Sequence, residues 1–386
     1  MKFFVDFACG SLNKSGEELC GDKVEFFRTS NCVIAVLSDG LGSGVKANIL
    51  ATLSSKIAMT MLKAGLSIDE VVDTMVHTLP VCQVRKLAYS TLTIVKIDEH
   101  DHVYVVEIDN PGVFFIRDGS VKSLISKERF INGRKIKESQ FLLQEGDTLV
   151  LTSDGVIHAG VGTILNLGWG WPEISHLLQS VIDHEKSAHE ITNLLLEVCS
   201  DLYEAKPGDD TTVATLKVIK PKWATLFAGP PKSKEEDKRV VETLMRSSGK
   251  KVICGGTAAN IVAREIHEEI QTSFDYMDFH FPPIASLQGI DLVTEGVLTM
   301  KGAVDILREI QLNSRFERLK ERHGAARLAQ ILYEECTHIH LLVGRAINDA
   351  HQNPDFPKAL SIKLRVIEEL EEILIKVGKV VEIQYF

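Results

Sequence analysis

"CVIAVLSDGLGSGVKANIL", residues 32–50, ends an apolar run in a carboxylate, Asp39, and follows it with Gly40, Gly42 and Gly44. A Gly-rich passage from strand into helix is the grammar of a phosphate cradle, in which free backbone N–H groups at the helix start bind a dinucleotide. That fingerprint needs its glycines directly after the first strand and an acid roughly 20 residues on, at the end of a second strand. Here the acid precedes the glycines, and the residues that follow read as one helix. The spacing argues against a dinucleotide site.

The same phrase recurs. "VIAVLSDGLG" at 33–42 and "TLVLTSDGVI" at 148–157 each place Ser-Asp-Gly after an apolar strand, so two strands end in matching carboxylates, Asp39 and Asp154. Gly208-Asp209-Asp210-Thr211-Thr212 precedes the strand "VATLKVI", and Gly21-Asp22 precedes "KVEFF". Any one of these is an ordinary turn. Four together, at strand ends, point to a shared task. Clustered carboxylates repel unless a cation neutralises them, and all-oxygen ligation with retained water is what Mg²⁺ or Mn²⁺ prefers. A pair of such ions lowers the pKa of a bridging water and orients it for in-line attack on a phosphate. The expected chemistry is phosphoester hydrolysis without a covalent enzyme intermediate.

The rest of the chain sets bounds. At 386 residues it is too long for one average domain. A formal charge of −10 argues against broad binding to nucleic acid or an anionic membrane. The start, MKFFVDFACG, lacks the pattern of a secretory signal, and no apolar run approaches the length of a membrane span. The seven cysteines show no CxxC pair, which reads as reduced thiols in a cytoplasmic protein.

Apolar runs at 32–37, 92–97, 103–108, 113–116 and 148–151 read as strands, and Asp118-Gly119 between two runs signals a hairpin. Sequential strands joined by turns indicate an antiparallel α+β arrangement. Val45, Ile49, Leu53, Ile57 and Met61 recur at helical spacing, as on a core-packing face; Ser67 to Glu70 reads as a capping box opening a second helix that Pro80 ends; a third helix spans about 187–204. Prolines, glycine and charge at 221–237 read as a linker between a first domain, 1–220, and a smaller α/β domain, 238–386. In the latter, "KKVICGGTAANIVAREIHEEI" and "IDLVTEGVLTMKGAVDILREI" each read strand, turn, helix, and the tail reads as an amphipathic helix then a strand.

Within 1–220, "GD" at 21–22, "VLSDGLGSG" at 36–44, "YSTLTIVKID" at 89–98, "IDNPGVFFIRDG" at 108–119, "LTSDGV" at 151–156 and "GDDTTVATLKV" at 208–218 occur in one order. That order resembles the sporulation stage II protein E branch of the metal-dependent PP2C-type serine/threonine phosphatases. The resemblance implies an α-β-β-α sandwich with two Mn²⁺ or Mg²⁺ ions between the sheet edges. It implies metal ligation, and catalysis through metal-bound water, by Asp22, Asp39, Asp154 and Asp209, with Asp39 bridging and the Gly40 carbonyl contributing; Asp210 ranks lower. It also implies phosphoserine or phosphothreonine substrates on a regulatory protein of the anti-sigma-factor-antagonist kind, and gating by the helices at about 43–64 and 67–79. No Arg stands in the phosphate-binding place of the eukaryotic enzymes, so the group that grips the phosphate is unassigned.

Other residues carry weaker signals. Ser38 and Ser153 lack a nucleophile elbow and read as hydrogen-bonding turn residues. His158, four residues past Asp154, is either incidental or a general acid. Asn110-Pro111-Gly112 reads as a structural turn. In the second domain Gly255, Gly256 and Thr257 before a helix form either a plain connection or a cradle for a small anionic ligand, and the "TEG" turn at 294–296 could share its sheet edge. That domain is read as sensing such a ligand or docking a partner, and a homodimer is left open for the chain. The rival readings are a catalytically silent signalling module and a phosphatase of a small phosphorylated metabolite.

Overall fold

The computed structural model describes residues 2–29, 31–78, 90–182, 186–273, 284–313, 317–346 and 362–386. The chain divides into two compact units, Met1–Lys220 and Pro221–Phe386. Among the described residues no helix is long and apolar enough to cross a membrane. Cys9, Cys20, Cys32, Cys199, Cys254 and Cys336 are free thiols, as expected; Cys82 and Pro80 lie outside the described residues.

The first unit runs β1 (Phe4–Leu12), β2 (Asp22–Arg28), β3 (Val33–Gly40), α1 (Gly44–Lys63), α2 (Ile68–Thr78), β4 (Ser90–Ile97), β5 (His102–Ile108), β6 (Phe114–Arg117), β7 (Ser120–Lys122), β8 (Ser126–Ile131), β9 (Arg134–Leu142), β10 (Thr148–Thr152), α3 (Asp154–Ile157), α4 (Trp171–Val181), α5 (Ala188–Leu202) and β11 (Thr211–Ile219). Two antiparallel sheets result, one ordered β1-β11-β10-β6-β7 and the other β2-β3-β4-β5-β9-β8. Period-2 alternation sorts their side chains. On β3, Val33, Ala35 and Leu37 pack between the sheets with Leu149, Leu151, Ala214 and Leu216, while Ile34 and Val36 turn outward beneath α1 and α2. Residues from α4 and α5 cover the other sheet with Phe114, Val150 and Val213. The layers are those of the expected α-β-β-α sandwich.

Local signals are honoured. β6 and β7 pair with Arg117 opposite Ser120, and Asp118 and Gly119 both take positive φ (53° and 68°), the two-residue turn that suits a twisted hairpin. Glu70 N–H donates to Ser67 Oγ at 3.3 Å while Ser67 N–H donates to the Glu70 carboxylate at 2.8 Å, so the capping box opens α2. The face of α1 is a correction. Ile57 and Met61 do pack against the apolar cluster under the helix, but Val45, Ile49 and Leu53 are 61%, 52% and 46% exposed, and Ala47, Ala51, Ser54, Ser55 and Ala58 pack inward instead. Small residues let the helix axis approach the sheet more closely than a Val/Ile/Leu stripe would.

The second unit runs β12 (Trp223–Ala228), α6 (Asp237–Arg246), β13 (Lys250–Cys254), α7 (Gly256–Ile266), β14 (Gln271–Ser273), β15 (Ile284–Leu287), β16 (Ile290–Thr294), α8 (Val297–Asn313), α9 (Gly324–Gln330), β17 (His338–Val343), α10 (Ile362–Lys376) and β18 (Val380–Tyr385). One sheet, ordered β14-β15-β16-β13-β12-β17-β18, is parallel from β16 to β18 and has apolar clusters on both faces. The stretch 221–237 is therefore no linker. Its prolines and glycine bracket "WATLFA", whose Leu226 and Phe227 are fully buried in a strand interior to the sheet, between β13 and β17.

Candidate metal centre

Asp22 opens β2 and Asp39 nearly closes β3, and antiparallel register sets the two directly opposite each other. Asp154 follows β10, and Asp209 and Asp210 lead into β11. Ser153 N–H donates to Thr212 O at 3.0 Å and Thr212 N–H donates back to Ser153 Oγ at 2.9 Å, which locks these two strand ends side by side. One pair of acids thus comes from each sheet.

Electrostatics joins the pairs. Burial, then the charges of Asp22, Asp154 and Asp209, push the Asp39 carboxyl up to about 9, and Asp39 and Asp154 share a hydrogen bond. Burial raises Asp22 to about 6; the hydroxyls of Ser153 and Thr212 pull down, and Asp210 and Asp154 push up. Asp154 is raised by burial and by Asp209, with His158 opposing. Like charges gathered out of water favour the protonated form, and all of these shifts have that sign.

Packing around the acids is close. A Cβ on Gly40 would lie 2.1 Å from the Ala47 carbonyl oxygen of α1, and one on Gly21 would lie 2.8 Å from Asp210 Oδ2. Glycine beside Asp39 and beside Asp22 is thus a matter of space. Ser38 donates to Thr91 O at 3.1 Å and hydrogen-bonds Ser90, a hydrogen-bonding role as read, though inside β3 rather than in a turn; Asn110 ties Thr91 and Thr93 together. His158 caps α3 and is near enough to Asp154 to act on its charge.

Asp209 and Asp210 divide the work differently than their order alone suggests. Asp209 has a 45% exposed side chain, acts on the charges of Asp39 and Asp154, and lies 3.5 Å from Lys14 Nζ. Asp210 is buried and accepts from Lys14 N–H at 3.0 Å. Lys14 escaped the sequence reading because it stands eight residues before Asp22 with no motif around it; only the pairing of β1 with β11 brings it here.

Among the described residues no three acidic, His or Cys side chains converge on one point as a finished cage for a metal ion. The donor set nonetheless fits a hard divalent cation. All the donors are oxygens, and Asp22 Oδ2 and Asp210 Oδ2 are buried with no hydrogen-bond partner, which is costly for a carboxylate that has nothing further to hold.

In the second unit, Gly255 precedes α7 with φ 128°, and a Cβ on Gly296 would lie 3.2 Å from Gly255 Cα. The two Gly turns therefore do adjoin at the carboxyl ends of β13 and β16. Gly255 N–H is spent on Thr294 O at 2.9 Å, while the space beside Gly256 is open.

The stage II sporulation protein E family model matches residues 29–219. Among solved structures, the first unit is similar to the phosphatase domain of the cell fate determinant SpoIIE from Bacillus subtilis, with 20% identity, 57% of this chain and 94% of that one covered, and a TM-score of 0.44. It is also similar to RsbX in complex with magnesium (20% identity, 55% and 95% covered, TM-score 0.41) and to the S. agalactiae serine/threonine phosphatase (16% identity, 55% and 99% covered, TM-score 0.40). No curated protein matches the chain.

Proposed function

We propose, since residues 29–219 belong to the stage II sporulation protein E family of PP2C-type phosphatases, that this phosphoprotein phosphatase removes phosphate from serine or threonine on a regulatory protein. The family is metal-dependent. In this chain Asp22, Asp39, Asp154 and Asp209, with the Gly40 carbonyl, would hold two Mn²⁺ or Mg²⁺ ions. Two such ions supply Lewis acidity and a nucleophilic water at neutral pH.

The chain's own residues do the rest. Asp39 and Asp22, opposite each other on one sheet, and Asp154 and Asp209, at neighbouring strand ends of the other, present oxygens from two rigid frames, so their spacing is held by both ladders. Ser153 and Thr212 lock the strand ends of the second pair together, and their hydroxyls favour the charged form of Asp22. The observation that carries the reading is the gathering of these carboxylates, one pair from each sheet, with the buried Oδ2 of Asp22 among them left unpartnered, as is that of the adjoining Asp210. The second unit we assign a regulatory or ligand-sensing role, with its Gly255-Gly256-Thr257 turn as the place for a small anion.

The test is hydrolysis of an aryl phosphate by the full chain with and without Mn²⁺, beside Asp39→Asn. Mn²⁺-dependent turnover abolished in the variant supports the reading. Absence of both turnover and Mn²⁺ binding in the unaltered chain would leave a silent signalling module. Faster turnover of small phosphorylated metabolites than of phosphopeptides would shift the substrate class.

A further inference from the structure

A phosphate monoester is a dianion, and here it must approach five carboxylates: Asp22, Asp39, Asp154, Asp209 and Asp210. Two divalent cations offset at most four of those charges, so the incoming phosphate still needs a positive partner from the protein. Among the described residues Lys14 is the lysine or arginine whose charged group is paired with a carboxylate of this cluster.

Its setting separates a fixed base from a free tip. Lys14 N–H donates to Asp210 Oδ1 at 3.0 Å, Ser15 N–H donates to Pro207 O at 2.8 Å, Glu17 N–H donates to Lys14 O at 3.0 Å, and Asn13 Nδ2 donates to Glu18 O at 3.0 Å. The turn after β1 is thereby bound to the lead-in of β11 and cannot drift from the acids. The side chain is another matter. It is 36% exposed, and its Nζ lies 3.5 Å from Asp209 Oδ1, well beyond the 2.7–2.9 Å typical of a strong charge-assisted hydrogen bond. An ammonium held that loosely can turn to a second anion without breaking a buried pair.

We propose that Lys14 grips the phosphoryl oxygens of the substrate, a role that rests on the phosphatase reading above. As a compact point charge on a flexible stem, it would hold the phosphate without the planar fork an arginine imposes. The competing role is structural, in which Lys14 serves only as the counter-ion of Asp209.

The two roles separate by calorimetry on the full chain, titrating inorganic phosphate in the presence of Mn²⁺ and, separately, Mn²⁺ alone. With Lys14→Ala we expect phosphate affinity to fall about 10- to 100-fold, the scale of one lost hydrogen bond to a charged group. Lys14→Arg should recover most of that loss, and Mn²⁺ affinity should hold or tighten because a competing cation is gone. Unchanged phosphate affinity in Lys14→Ala, a fall in Mn²⁺ affinity alone, or no phosphate binding by the unaltered chain would each overturn the proposal. Aryl phosphate turnover of the same unaltered sample reports on the phosphatase reading independently, since phosphate can bind whether or not turnover occurs.

Discussion

Gly40 lies directly against the backbone of Ala47: a Cβ at Gly40 would stand 2.1 Å from the Ala47 carbonyl oxygen, far inside the closest approach of a non-bonded carbon and oxygen. The turn after Asp39 and α1 are therefore one packed unit. Gly40→Ala must push the helix off the sheet or distort the strand end that carries Asp39. We expect a stability loss of about 1–3 kcal/mol, as for overpacking elsewhere, and weaker Mn²⁺ binding. Thermal denaturation and calorimetry on the variant check both; a variant with unaltered Tm and Mn²⁺ affinity would contradict the contact.

The same contact explains what sequence could and could not disclose. Strands such as β3 and β10 were legible because they are buried on both faces and read as apolar runs rich in Val, Ile and Leu, and β4 reads the same way despite Thr93 and Lys96. Asp39 and Asp154 were legible because a repeated Ser-Asp-Gly phrase marks two strand ends, and Asp22 and Asp209 because a Gly-Asp turn leads into a strand at each. The inward face of α1 was not, because periodicity follows large apolar residues, whereas close approach at Gly40 selects Ala47, Ala51 and Ala58. β12 hid among prolines that bracket it, and β9 hid behind its charges, since only Ile136 and Ser139 along Arg134–Leu142 are buried. Lys14 depends on pairing across about 200 residues of sequence, which no local pattern records.

Asp147 should be a stability hinge unrelated to catalysis. Its side chain is fully buried and accepts from Arg117 Nε at 2.7 Å, Arg117 Nη2 at 2.6 Å and Gln144 N–H at 2.7 Å. Asp147→Ala strands those donors. Removing one partner of a buried pair costs about 3–5 kcal/mol, and Arg117, which still reaches water, places this case near the low end. Chemical denaturation should show the loss, with Mn²⁺ affinity of the folded variant unaltered.

Glu138 should make the first unit acid-sensitive. Burial raises its pKa, but hydrogen bonds from Arg129 and Tyr104 outweigh that and leave it below the usual 4.5. A carboxyl with a lowered folded pKa adds stability that is fully present above its unfolded value and is lost as pH falls through the folded one. Glu138→Gln should therefore lower Tm at neutral pH and flatten its decline below pH about 4.5, so that the two proteins converge in acid. Parallel melting curves across that range would show that the carboxylate contributes nothing.

Asp39→Asn should separate function from stability. At neutral pH without divalent cations, Asp39 is buried among Asp22, Asp154 and Asp209, and their repulsion opposes folding. Burial and those neighbours hold its carboxyl up to about 9, so the chain must take up a proton there to fold at neutral pH. An amide of the same shape is neutral without one, and the metal-free variant should melt above the unaltered chain. Saturating Mn²⁺ should reverse the order. At a free concentration of 100 Kd it stabilises a native state that alone binds it by about 2.7 kcal/mol, and the variant, short of the oxygen expected to bridge both ions, should gain far less. A Mn²⁺-induced shift of equal size in both proteins would remove Asp39 from the ligand set, and a metal-free variant melting lower would mean that the hydrogen bond with Asp154 outweighs the repulsion.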